Sequence, residues 1–365
     1  MSTWHIRPGT VGGAGDGTSK ANAWLSVGDI TGTANGDIYL IYPNAIDTLT
    51  TSFTLPNNAT TFANMYVVDE SGVADPTAWY VIDCNSAADR GLQFTGTTNF
   101  WSLSGIHVKN AVLDGAESSS GSCNNIRMNR MKFTDCGGKG LASARMNKST
   151  FKNILTDGCV GGQDSRDGNI HIECVDIDTT GSSFTGDQYS VWDTCLSINP
   201  SVSAFTGMQD SSYIRNTICD GGANVLSFDS GVENTTLNGV VAINGSYGIF
   251  NAGNINLYNC YIPANGEDEA NSTAPTTGGG QFLTFSEAGL DSNDLAGTDA
   301  NAGLTNRAAL DYSRVSASTI WNQLTTLLGS ATPTYQSAGF NPNASGGSSS
   351  SSSGGVLIDD GSLIR

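Results

Sequence analysis

At 365 residues the chain exceeds most single compact cores, yet only 14% of it is charged and 45 positions are glycine, a composition that favours turns and short strands over long helices. The formal net charge of −18, from 34 acidic and 16 basic residues, disfavours nucleic acid as a partner for the surface as a whole and otherwise reads as solubility. No apolar run reaches the length of a membrane-spanning helix, so a membrane partner is not expected, and eight cysteines without a CxxC pair argue against a zinc site.

Taken in chain order, the opening MSTWHIRPGT has no basic-then-apolar leader, so the expectation is synthesis in the cytoplasm without a signal peptide. Residues 1–60 are expected to form an N-terminal cap and the first coils, with Trp4 and Trp24 as lids over an open end that would otherwise invite aggregation. From residue 61 a repeat takes over. Segments such as IRMNRMKFTDCGGKGL (126–141), VWDTCLSIN (191–199), YIRNTICD (213–220) and TTLNGVVAINGSYGIF (235–250) share one frame. They align into a first column of Ser104, Asn129, Asn147, Glu173, Asp193, Asn216, Asn238 and Asn259, spaced about 22 residues apart. Six positions later stands a second column of Asn110, Asp135, Asn153, Thr179, Asn199, Gly222, Asn244 and Asn265. Between them, two past the first column, lie Ile106, Met131, Ser149, Val175, Cys195, Ile218, Val240 and Tyr261, nearly all apolar. Alternating apolar positions mark a strand with one buried face. An Asn or Asp marks a bend, because these side chains tolerate left-handed backbone and bond locally. Amides stacked in register can hydrogen-bond from coil to coil. Helix formers are too scarce for a helical repeat, so the period predicts one coil of an all-β parallel β-helix.

The frame Asn-x-apolar-x-apolar-x-Asn-x-x-x-Gly-apolar, met nearly in full at 238–249, resembles the repeat of right-handed parallel β-helix proteins, the pectate-lyase-like superfamily. The opening TWHIRPGTVGGAGDGTSKANAWLSVGDI (3–30) is similar to the start of many such chains: a strand, a Gly/Asp-rich loop, then an apolar cap. The resemblance covers roughly residues 1–270. It implies a right-handed single-stranded solenoid. Chemistry stays open, because this fold hosts lyases, hydrolases, epimerases and the spike, fibre and decoration proteins of bacteriophages.

Beyond the β-helix of residues 61–270, residues 271–345 form a C-terminal cap region. Within it, SASTIWNQLTTLLG (316–329) places Ile320, Leu324, Leu327 and Leu328 on one face and is expected to be a short capping helix. GGSSSSSSGG (346–355) is a flexible linker by composition. It leads to VLIDDGSLIR (356–365), which alternates like a strand and reads as a docking segment. The cysteines, Cys84, Cys123, Cys136, Cys159, Cys174, Cys195, Cys219 and Cys260, are expected to be free, buried and apolar in role. Cys174 and Cys260 would share a column four coils apart, too far to bond.

Three groups of residues carry candidate chemistry. The first is a basic cluster at 127–152, from which Arg127, Arg130, Lys132, Arg145 and Lys148 suggest an anion-binding patch. In the repeat frame Arg127 stacks on Arg145 and Arg130 on Lys148, like charges that need partners, with Asp176 and Asp178 of the following coil as the nearest acids. The second is Asp164, Arg166, Asp167 and His171 in GGQDSRDGNIH, with Asp187 in a later loop. Glycosidases need paired carboxylates at a defined separation; within the resembled family, lyases use an Arg or Lys base beside calcium-binding acids. Asp164, Arg166, Asp167 and Asp187 are therefore the catalytic candidates. The chain does not carry the polygalacturonase-like set of Asn-Thr-Asp, Asp-Asp, His-Gly and Arg-Ile-Lys. The third is DSNDLAGTD, where Asp291, Asn293, Asp294 and Asp299 offer oxygens to calcium without completing an EF-hand pattern. No other cofactor is implied. Tyr189, Trp192, Tyr247, Phe250 and Tyr258 are aromatic candidates for sugar stacking, against the commoner fate of core packing.

The missing catalytic set, the rod and the tethered terminal segment together suggest a structural or adhesive virion protein of a bacteriophage: a head fibre, decoration protein or tail spike. Its expected partners are other virion proteins, copies of itself in the homotrimer that the resemblance implies, and a host-surface glycan. The competing expectation is a polysaccharide lyase or glycoside hydrolase acting on an acidic glycan.

Overall fold

The computed structural model describes residues 1–261, apart from 10–13, 31–34, 59, 97, 210, 229–232, 239, 244–246, 251–253 and 259, together with three short strands at Phe282–Leu283, Leu304–Asn306 and Asp311–Arg314. The C-terminal helix expected at 316–329, the linker at 346–355, the segment 356–365 and the calcium candidates Asp291, Asn293, Asp294 and Asp299 lie outside the described residues.

The chain winds as a parallel β-solenoid whose wall has three strips. The first strip includes the strands Ile38–Ile41, Ala63–Val67, Ile170–Ile172, Val191–Asp193 and Tyr213–Arg215. The second includes Tyr80–Asp83, Val175–Ile177, Leu196–Ile198 and Ile218–Asp220. In the middle coils one strand crosses from first strip to second, as in Trp101–Lys109, Ile126–Thr134 and Thr150–Asp157. The third strip runs from Phe53–Thr54 through Leu92–Thr95, Lys139–Ala142 and Phe184–Thr185 to Tyr247–Phe250. Every pairing along the three strips is parallel.

The pairings give the true repeat. Ser104, Asn129, Lys152, Ile172, Asp193, Arg215, Asn238 and Tyr258 stand above one another, at a mean spacing of 22 residues. The period is as expected; some column members are not. Asn147 belongs to a separate two-residue pairing, Asn124 with Asn147, and Asn153 sits at the first corner instead of the second. That first corner holds left-handed backbone at Gly105, Arg130, Asn153, Glu173, Thr194 and Asn216. The second holds it at Asn110, Asp135, Gly158, Asp178, Asn199 and Gly221. Corner amides do ladder between coils: Asn153 Nδ2 donates to Asn129 (3.3 Å), Asn216 Nδ2 to Asp193 (3.2 Å) and Asn199 Nδ2 to Asp178 (3.2 Å).

Inside the first strip one column reads Met65, Leu103, Met128, Phe151, His171, Trp192, Ile214 and Leu237, every member buried. At its lower end Trp4 stacks on Trp24 (5.1 Å) and Trp24 on Tyr39 (6.4 Å), covering the first coil. Inside the second strip, Ile82, Val108 and Phe133 give way to Thr156, Asp176, Ser197 and Cys219 in the same column. Polar residues thus replace apolar ones in the interior, and the apolar neighbours of Asp176 and Cys219, Val175 and Ile218, face outward instead of inward as expected. The seven cysteines described are free and buried. Cys174 shares its column with Cys195 on the next coil, while Cys195 and Cys219 fall in different columns.

Candidate functional site

The basic cluster does not form the stacked columns expected of it. Arg127 faces Ser102 and Thr150 on its two neighbouring coils, not Arg145. Arg130 occupies a first-strip corner below Asn153, whereas Lys148 lies on a different corner, beside Asn125. Asp176 and Asp178 are not their partners: Asp176 points into the interior and Asp178 accepts from Asn199. In this region Lys109 pairs with Asp83 (3.0 Å), Lys139 with Asp164 (2.7 Å) and Lys152 with Glu173 (3.6 Å). Among the described residues no ion pair is made by Arg127, Arg130, Lys132, Arg145 or Lys148.

Aromatic side chains take the place of counter-ions. The Arg127 guanidinium lies 4.1 Å from the Phe62 ring centroid, and Phe62 meets Phe100 edge-on at 5.6 Å. Arg130 reaches back over Gly105 to donate to the carbonyls of Ala78 (2.7 Å) and Asp75 (2.9 Å), with its guanidinium 4.8 Å from the Trp79 ring. A β-carbon at Gly105, whose φ is +80°, would stand 2.3 Å from Arg130 Nη2, so the arginine's path requires glycine there. Trp79 in turn meets His107 edge-on at 6.5 Å. His107 bonds Thr134 Oγ1 through Nε2 (3.0 Å) and stands beside Lys132 in the next coil. Burial, then the charges of Lys132 and Lys109, push the His107 imidazole down to about 4. It is therefore neutral at physiological pH. Arg127, Arg130, Lys132, Phe62, Trp79 and His107 make a cationic and aromatic corner on the outer wall. Held by the Phe62 face, Arg127 keeps its N–H edge for carboxylate or sulfate, whereas Arg130 gives N–H groups to two backbone carbonyls. The cations of this corner were legible in sequence; Phe62, Trp79 and His107 were not, because they come from other coils and follow no period.

Arg145 donates to the Ser119 carbonyl (3.2 Å) and Lys148 stands at the corner entering the strand beside Arg127. Both flank the patch from one coil further on.

The catalytic candidates each have partners of their own, and the charge of Asp187 reaches Asp164. Asp164 is buried beside Lys139, and burial raises its pKa against the lysine's opposing charge. Arg166 donates to the Ala144 carbonyl (2.8 Å), and the Asp167 carbonyl accepts from Lys148 N (3.4 Å). Asp187 turns its carboxylate to the amide of Gln188 (2.8 Å). His171 is an interior residue, stacked at 3.7 Å on Trp192. Trp192 is likewise core, whereas Tyr189 is exposed; the side chains of Tyr247, Phe250 and Tyr258 lie outside those described. A group that sequence reasoning missed is Asp157 on the second strip. Its carboxyl is raised by burial and by Asp178 and Asp135 on the coils either side, with Lys132 acting against them. Among the described residues no cluster of His, Cys, Asp and Glu could hold a metal, and no helix is long and apolar enough to cross a membrane.

No protein-family model matches the sequence, and no curated protein is similar to it. Solved structures are similar in fold. An alginate lyase from Paenibacillus sp. str. FPU-7 is 10% identical, with 69% of this chain and 92% of that one covered and a TM-score of 0.47. Pectate lyase Pel9A is 14% identical, with 88% and 86% covered and a TM-score of 0.45. The tailspike protein gp49 of Acinetobacter baumannii bacteriophage Fri1, a capsular polysaccharide depolymerase, is 10% identical, with 70% and 49% covered and a TM-score of 0.43. The chain spans about half of that tailspike's length. What they share is the parallel β-solenoid. No residue role is carried across at such identities.

Proposed function

We propose that this chain is the β-helical rod of a bacteriophage virion protein, a head fibre, decoration protein or tail spike, and that it adheres to an acidic glycan through the corner at Arg127, Arg130 and Lys132. The observation behind the adhesive reading is the pairing of cations with aromatic faces on an otherwise acidic surface. On a chain of net charge −18, Arg127, which makes no ion pair among the described residues, forms a local attraction for anions. Tyr-, Trp- and Phe-rich surfaces suit sugar rings. Virion partners, trimerisation and calcium at Asp291, Asn293, Asp294 and Asp299 are parts of the same proposal.

Binding of the full chain to polygalacturonate, with neutral dextran as control, tests the adhesive reading. Affinity is expected only for the polyanion and should fall with added salt. Arg127→Ala and Lys132→Ala should each weaken it about tenfold, the loss of one charged contact of roughly 1.4 kcal/mol. Undiminished binding by both variants would refute this site.

One observation favours the enzyme alternative, a lyase or hydrolase of acidic glycans: the raised carboxyl of Asp157 beside Lys132. A general acid needs such a pKa. Release of unsaturated sugars or new reducing ends by the wild type, abolished in Asp157→Asn, would replace adhesion with catalysis.

A further inference from the structure

A third corner, where the third strip hands over to the first strip of the next coil, carries a column of its own. Phe100, Asn125, Lys148, Gly168, Tyr189 and Ser211 stand two residues before Ser102, Arg127, Thr150, Ile170, Val191 and Tyr213 respectively, which pair in register from coil to coil. All six have left-handed backbone, with φ between +50° and +72°, and none is buried. Asparagine, glycine and serine suit such a corner. Phenylalanine, lysine and tyrosine do not, because their side chains make no local bond that offsets the crowding of the β-carbon.

Two of these exceptions are aromatic and stand four coil steps apart, about 19 Å at sheet spacing. Phe100 meets Phe62 edge-on, and the Phe62 ring carries the Arg127 guanidinium. Tyr189 is 58% exposed, so core packing does not hold its ring at a strained position. Strain of this kind gathers where a surface meets a ligand. Between the two rings stand Arg127 and Lys148, both exposed and neither in an ion pair among the described residues. At the Tyr189 end the charge reverses: Asp167 adjoins Gly168, and Asp187 lies two residues before Tyr189. An extended glycan advances one pyranose in close to the coil step of about 4.8 Å.

We propose, resting on the adhesive reading above, that the glycan lies lengthwise along this corner from Phe100 to Tyr189, and that its acidic units are separated by neutral ones. Aromatic rings at the two ends take the apolar faces of neutral sugars. Arg127 and Lys148 take the carboxylates between them. Asp167 and Asp187 accept from sugar hydroxyls and repel a carboxylate, so a polymer that is acidic at every unit fits the Tyr189 end poorly.

The full chain is titrated calorimetrically, at one salt concentration, with fragments of equal length from two polymers. One is hyaluronate, whose acidic units alternate with neutral ones; the other is polygalacturonate, acidic at every unit. The wild type should bind the hyaluronate fragment about tenfold more tightly. Tyr189→Asn removes the ring and suits the left-handed backbone. It should fold at least as stably as the wild type and lose the preference through weaker hyaluronate binding. Arg127→Ala should weaken both ligands. Equal affinities in the wild type, or a preference that Tyr189→Asn retains, overturn the extended site and leave adhesion at Arg127 standing. Binding of neither polymer by the wild type overturns both.

Discussion

His171 and Asp176 are two ionisable side chains inside the same stretch of rod, and burial acts on them in opposite directions. His171 lies between Phe151 (4.8 Å) and Trp192 (3.7 Å), its ring nitrogens without hydrogen-bond partners among the described residues. Burial holds its pKa well below the usual imidazole value. The unfolded chain would protonate His171 below about pH 6.5 and the folded chain would not, so its contribution is complete above that pH and declines as pH falls. Asp176 accepts from Thr156 and Thr179, yet burial pushes its carboxyl up to about 7. Here the unfolded carboxyl ionises from about pH 4 while the folded one stays protonated, so stability declines as pH rises towards 7. Each slope is about 1.4 kcal/mol per pH unit. Between roughly pH 4.5 and 6 the two oppose and cancel. Urea unfolding across this window should show Asp176→Asn losing stability relative to wild type as pH falls. His171→Leu should lose it relative to wild type as pH rises. Groups elsewhere contribute equally to all three proteins, so parallel curves would mean that neither group titrates as its burial dictates.

At the scale of the element, the corners decide how the strips are set against one another. Asn199 illustrates the chemistry: φ is +51°, its backbone N–H donates to the Asp220 carbonyl (2.8 Å) and its side chain to Asp178 on the coil below. Asn199→Ala forces a β-carbon without local bonding into left-handed backbone and removes the amide bond, about 2 kcal/mol together. Asn199→Gly loses only the hydrogen bond and should retain about half of that, measured by chemical denaturation. Equal losses in the two variants would place the effect in the hydrogen bond alone. Such corners were legible at Asn110, Asp135 and Asn199 because asparagine and aspartate announce left-handed backbone. They were illegible at Glu173 and Thr194, which the stacked coils hold there against local preference. Between corners, Val175 and Ile218 read as inward because apolar residues ordinarily are. The structure turns them outward, since a register displaced by one residue exchanges the two faces of a strand. Nothing in Val-Asp-Ile or Leu-Ser-Ile tells which face is covered. The same limit hid the aromatic half of the candidate site. Phe62 and Trp79 lie far from Arg127 and Arg130 in sequence and meet them only after the coils have stacked.

Across the whole molecule, a solenoid's stability is close to a sum of coil terms and interfaces between neighbours, so the change of interior along the rod has a local meaning. Val108 and Phe133 fill the second-strip column in the earlier coils, whereas Thr156, Asp176 and Ser197 continue it. Each such exchange forgoes roughly 1.5–3 kcal/mol of apolar burial. Hydrogen bonds such as Ser183 to Ser197 (2.6 Å) offset part of it. Above pH 7 the Asp176 carboxylate adds its own penalty, because charge in a dry interior is disfavoured. Hydrogen exchange at about pH 8 should therefore find the amides of Val175–Ile177 and Leu196–Ile198 less protected than those at 106–109 and 131–134. Asp176→Asn should slow exchange in those two strands and in Thr150–Asp157 beside them, and leave Ile38–Ile41 and Ala63–Val67 unchanged. The asymmetry is the point of the measurement. A change spread evenly from Ile38 to Ile218 would show the rod opening as one cooperative unit, with interior composition averaged over all coils instead of felt by nearest neighbours.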